Sequence, residues 1–179
     1  VGHLISGEYT PIDTLMISPL LFPKKPYHHL VKGYKLKSEQ LNDPENDAEL
    51  CMELFFDEME AFKKLNEKLK AIYFSLLGLQ FEYIGFFDYV DYISSDNAES
   101  LIREYFADII CANADLSSLI SHYPVELTYC LALISADDRY SLIPHWVHRN
   151  FPAVEYVMRV LRGTTCNSCD FCRREHNIH

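Results

Sequence analysis

The sequence predicts a mainly α-helical protein, with α+β as the alternative if a short strand forms near the N-terminus. Three observations predict it. Leu50, Leu54, Phe55, Met59, Phe62, Leu65, Leu69 and Ile72 recur at steps of three and four, which aligns them on one helix face. Helix-starting residues precede this and later apolar stretches: Asp43 with Pro44, Asp96 with Glu99, and the prolines at 124 and 152. Three cysteines and two histidines are crowded into the last fourteen residues, CNSCDFCRREHNIH, at spacings that suit a metal-stapled end.

Along the chain, YTPIDTLMISPLLFP reads as a strand running into extended chain. Ile12, Leu15 and Ile17 supply the apolar positions, and Pro19 and Pro23 stop regular structure. KKPYHHLVKGYKLKSEQL reads as a short helix and a loop broken at Gly33. One long helix is expected from Asp43 to a stop at Gly78. LQFEYIGFFDYVDY fits a strand or a short helix equally. SDNAESLIREYFADIICANAD is expected to be helical, with a capping box from Asp96 to Glu99. YPVELTYCLALIS forms the next helix, ADDRY a turn, and IPHWVHRNF a short helix. FPAVEYVMRVLRG is helical from Pro152 to Gly163. The composition shift near residue 79 suggests segments 1–78, 79–163 and 164–179.

Composition excludes some classes. The chain has 179 residues and a net charge of -10, which disfavours a protein that coats nucleic acid with its whole surface. Hydrophobic content of 49% with 12 Tyr and 11 Phe is enough for a core without cross-links. No apolar run reaches the roughly 18–20 residues that span a bilayer, so no membrane partner is expected. Glu8, Asp13 and the missing basic start argue against a signal peptide, and a cytoplasmic protein, with nucleoid association as the alternative, is expected. VGHLISG opens without Met, as an excised piece of a longer chain would.

The terminal cysteines form two overlapping knuckles, Cys166 to Cys169 and Cys169 to Cys172. A closed zinc (Zn2+) site takes four ligands, so one histidine completes the set. His176 lies four residues after Cys172 and His179 seven, one and two helical turns on, and either is a candidate. An iron–sulfur cluster is the alternative cofactor, because C-x2-C-x2-C opens the ferredoxin run; a histidine in place of the fourth cysteine favours zinc. Cys51, Cys111 and Cys130 fall in expected helices and read as small buried hydrophobes.

Two charged stretches adjoin. FPKKPYHHLVKGYKLK carries Lys24, Lys25, Lys32, Lys35 and Lys37 among Tyr27, His28, His29 and Tyr34, a pattern that suits phosphate contacts as well as a solvated basic face. Nine acids follow from Glu39 to Glu60. Asp47 stands there near a helix start, favoured by the helix dipole and also a candidate divalent-metal ligand. His145 and His148 flank Trp146 but lack a third ligand nearby, and Ser121-His122 lacks a nucleophile elbow.

DTLMISPLLFPKKPYHHLVKGYKLKSEQLNDPENDAELCMELF resembles the C-terminal half of a DEDDh-type 3′–5′ exonuclease domain of RNase H-like fold. The resemblance makes Asp47 a vestigial metal ligand and puts Asn42 where such domains carry the histidine base. Asparagine has no useful basic nitrogen, and the Asp-x-Glu motif is absent, so no nuclease activity is expected of this chain. Mg2+ enters only if further acids lie upstream. SPLLFPKKPYHHLVKGYKLKSEQLNDPENDAEL, YPVELTYCLALISADDRYSLIPHWV and the cysteine run together resemble the N-terminal region of large bacterial RecQ-like ATP-dependent DNA helicases. That resemblance implies a non-motor accessory segment of a DNA-repair helicase, a hydrolase whose ATP-binding motor lies elsewhere. Its partners would be DNA and the rest of the parent chain, and it favours His179 over His176. A true exonuclease completed upstream and a protein-interaction module are the alternatives.

Overall fold

The computed structural model describes residues 10–24, 44–163 and 166–176. The described residues are mainly α-helical and contain no strand. Thr14–Leu21 is α1, where a strand was expected. The correction comes from Asp13, whose carboxylate accepts the Leu15 N–H at 2.9 Å and caps the first turn. Pro19 deletes one backbone bond inside α1, but burial of Ile17 and Leu20, three apart on one face, holds the helix.

The long expected helix is two. Pro44–Lys64 forms α2 and Glu67–Leu77 forms α3. Asn66 makes the break, because its side chain accepts the Lys68 N–H at 2.9 Å and starts a new helix. Phe81–Tyr89 is α4, so the ambiguous aromatic stretch is helical. Gly85 is needed there: a Cβ would lie 2.6 Å from the Pro11 carbonyl oxygen. Ala98–Tyr105 is α5, shorter than expected at both ends. Asn97, not Asp96, caps it, and Glu99 pairs with Arg103 at 2.9 Å instead of closing a capping box.

Leu116–His122 is α6, and Pro124–Ser135 is α7. His145–Asn150 is α8, and Val154–Met158 is α9, which widens into a π-helical turn at Arg159–Gly163. Asp170–Glu175 is α10. Helix α7 packs against α1, α3, α6 and α9, and its apolar residues point all round, as a central helix requires. One buried cluster runs from Ile17 to Cys172 and takes residues from both sides of position 79. Phe62 anchors its aromatic corner, edge-on to Phe86 at 5.5 Å and Tyr92 at 5.4 Å.

Candidate metal centre

The centre is built by two segments far apart in the chain. The first is the turn after α5. Helix α5 ends at Tyr105, and Asp115 opens α6 by accepting the Ser118 N–H at 3.1 Å. The intervening chain must turn, and Cys111 sits buried in that turn. Arg103 holds the turn from α5, donating to the carbonyls of Ala112 at 2.8 Å and Ala114 at 3.3 Å. The Cys111 N–H donates to Leu161 O at 2.8 Å, which joins the turn to the π turn after α9.

The second segment is the knuckle that enters α10. Asn167 takes a φ of 57°, the left-handed conformation that asparagine tolerates better than most residues. This reverses the chain so that Cys166 and Cys169 face one side. Cys169 then caps α10, its Sγ accepting the Cys172 N–H at 3.4 Å. The Asn113 amide donates to the Ser168 hydroxyl at 2.8 Å, and Arg174 donates to Asp108 O at 2.7 Å, so the two segments are tied on both flanks.

The sulfurs of Cys111, Cys166, Cys169 and Cys172 all lie within 4.8 Å of one another, an arrangement that could hold a metal ion. Cys111 and Cys172 are buried, while Cys166 and Cys169 are half-exposed. Hydrogen bonds from the Ser168 side chain and backbone pull the Cys166 thiol down to about 5. The backbone N–H of Cys172 lowers Cys169. Burial pushes Cys172 up and Cys111 up to about 12. The half-exposed pair is thus favoured as thiolate relative to the buried pair, whose deprotonation a bound cation would assist.

The three terminal cysteines come together, and the fourth sulfur beside them is Cys111. His176 stands apart: its Nε2 lies 3.1 Å from Arg162 O, where it hydrogen-bonds the π turn. His179 lies outside the described residues. Reading Cys111 as a helical core thiol missed the site. The signal was Asp115, a helix cap that demands a turn just before it. Of the other two cysteines, Cys130 is the buried hydrophobe expected, against Val154 O at 3.4 Å, and Cys51 is not, because it lies on the outer face of α2.

The remaining candidates are scattered. Asp47 lies half-buried in the first turn of α2 and joins no metal-holding group among the described residues. Asn42 and the lysines at 25, 32, 35 and 37 lie outside those residues, while Lys24 is exposed. His148 lies 3.7 Å from Glu155, and neither it nor His145 joins a metal-holding group among the described residues. No helix among the described residues is long and apolar enough to cross a membrane. No protein-family model matches the chain, and no curated protein or solved structure matches it.

Proposed function

We propose that this chain is an architectural helical module whose four cysteines hold one structural zinc ion. The observation that carries the reading is the mutual approach of four sulfurs within 4.8 Å. Zinc–sulfur bonds of about 2.3 Å in a tetrahedron set the sulfurs about 3.8 Å apart, so the pocket is the size of one ion. With four protein ligands the site is closed and leaves no coordination position for a substrate, which suits a clasp rather than a catalyst. It would pin α10 to the turn between α5 and α6, adding to the hydrogen bonds that tie the two segments. Elemental analysis of the purified protein tests this: one zinc per chain is expected, lost in Cys111→Ser.

The all-thiolate donor set favours a second reading, an iron–sulfur cluster, because the fourth ligand is a cysteine and the histidine that spoke for zinc is not at the site. A four-iron cube, however, inserts its own iron–sulfide core between the thiolates and spreads them beyond a single-ion spacing. A brown protein with iron and inorganic sulfide would decide for the cluster.

The resemblance to RecQ-like helicases supplies the setting. In this proposal the module is an accessory, non-motor part of a DNA-processing helicase, and a degenerate exonuclease-like segment holding Asp47 precedes it. Lys24, Lys25, Lys32, Lys35 and Lys37 would make its weak contacts to DNA phosphate, and cytoplasmic location would follow. Reversing Lys24 and Lys25 to Glu should weaken binding to a labelled oligonucleotide and flatten its salt dependence by about one unit of slope per lost phosphate contact.

A further inference from the structure

A groove of about 560 Å3 lies on the face formed by α7, α8, α9 and the π turn, within the roughly 300–1,000 Å3 range of recognised binding pockets. Leu133, Leu142, Ile143, Val154 and Met158 make its aliphatic walls. Leu142 is 60% exposed, so this apolar surface is open to solvent. Arg159 and Arg162 from the π turn make the rim positive, and His148 of α8 adjoins them. The single carboxylate there, Glu155, lies 3.7 Å from His148 Nδ1.

This positive rim is unusual for the molecule. The chain has a net charge of -10, yet two arginines and one carboxylate, Glu155, line this groove. The rim is also held in place. Gly163 leaves room for the Arg159 stem, because a Cβ there would lie 3.2 Å from the Arg159 Cγ. The Arg162 guanidinium lies over the Phe171 ring at 5.5 Å, and the Arg162 carbonyl pairs with His176. The π turn is therefore braced by the same two segments that carry the cysteines.

We infer that this groove docks an acidic amphipathic helix of a partner protein. Aliphatic and methionine walls accept the apolar stripe of such a helix, and the arginines pair with its flanking carboxylates. Among the described residues the groove lining holds no aromatic ring on which a nucleobase could stack, which favours a peptide over single-stranded nucleic acid. The inference rests on the metal reading only in that the loaded cysteines hold the π turn in position.

The test uses the purified chain with its metal and a fluorescein-labelled peptide of repeating Glu-Leu-Leu-Glu-Glu-Ile-Glu units, followed by anisotropy. Saturable binding is expected. Arg159→Glu should weaken it at least tenfold, and so should replacing every Glu of the peptide by Gln. Leu142→Ser, at an exposed position, should weaken it with the charges intact. Zinc content and the circular dichroism spectrum should stay unchanged in both variants. No saturable binding, or binding indifferent to Arg159→Glu and Leu142→Ser, overturns the inference. So does binding of an oligothymidylate that Arg159→Glu abolishes while the peptide fails to compete, or self-association that the same variants abolish, which would give the groove to a second copy. Binding that keeps its Arg159 dependence in protein free of metal would leave the groove standing and count against the metal as its brace.

Discussion

The backbone N–H of Cys111 donates to the carbonyl of Leu161 across 2.8 Å, fifty residues along the chain. This bond places a turn of α5–α6 against the π turn, and it explains why a cysteine remote in sequence reaches the terminal knuckle.

Metal content should follow that arrangement. Cys111→Ser and Cys169→Ser should each lose the bound ion, whereas His176→Ala should keep one equivalent. Elemental analysis of the three variants separates a cysteine quartet from a site completed by histidine. Retention of metal in Cys111→Ser with loss in His176→Ala would reverse the assignment.

Chelation should loosen α10 and the turn around Cys111 before α2 and α4. The tail carries few apolar residues of its own beyond Phe171, so binding energy of the ion acts there as folding energy. Hydrogen exchange with and without chelator should show early deprotection at 106–115 and 166–176. Uniform loss of protection along the whole chain would mean that the ion supports the entire core.

Glu58 should contribute a loss of stability as pH rises from about 5 to 9. Both its carboxyl oxygens are buried without a hydrogen-bond partner among the described residues. Burial, then the carboxylates of Asp13 and Asp57, push it up to about 9. A carboxyl raised in the folded state keeps its proton there while the unfolded chain loses it near its usual value. The unfolded state then binds fewer protons, so stability declines across that window and not below it, by at most about 1.4 kcal/mol per pH unit. In Glu58→Gln this decline should be reduced, so its melting temperature should gain on the parent from pH 5 to pH 9. Parallel curves would show that Glu58 does not set the slope.

The buried relay from Tyr83 to Tyr129 to the Met16 carbonyl should be worth more at its middle than at its end. Tyr83 donates to the Tyr129 hydroxyl at 2.8 Å, and Tyr129 donates to Met16 O at 2.9 Å. Tyr83→Phe removes one donor and should cost about 1 kcal/mol. Tyr129→Phe strands both neighbours and should cost about 2 kcal/mol. Urea midpoints of the two variants give the comparison, and equal costs would mean that the bonds are independent.

No Mg2+- or Mn2+-dependent degradation of labelled DNA should be seen with this chain. The motivation is Asp47, which joins no metal-holding group among the described residues, and the asparagine at position 42. Cleavage abolished by Asp47→Ala would show a working site.

The sequence by itself determined the helical class, the starts of α2 and α7 and three of the four sulfurs. These follow from neighbours a few residues apart: apolar spacing, a capping side chain, a C-x2-C turn. Pro124 opening α7 and the knuckle at Cys166 and Cys169 were legible for that reason. Local rules also competed, and position in the sequence did not rank them. Asn66 divided one apolar stripe into two helices, Asn97 displaced Asp96 as a cap, and Asp13 turned an expected strand into α1. Only the tertiary structure decided the fourth sulfur. Cys111 and Cys166 are fifty-five residues apart, and no periodicity connects them. Packing of the π turn beneath α10 brings them together and turns His176 onto a backbone carbonyl instead. Burial of Glu58 is of the same kind, because its helix face looks ordinary until α1 closes over it. Contacts across long loops are set by the whole core, and the core is a property of all its helices at once.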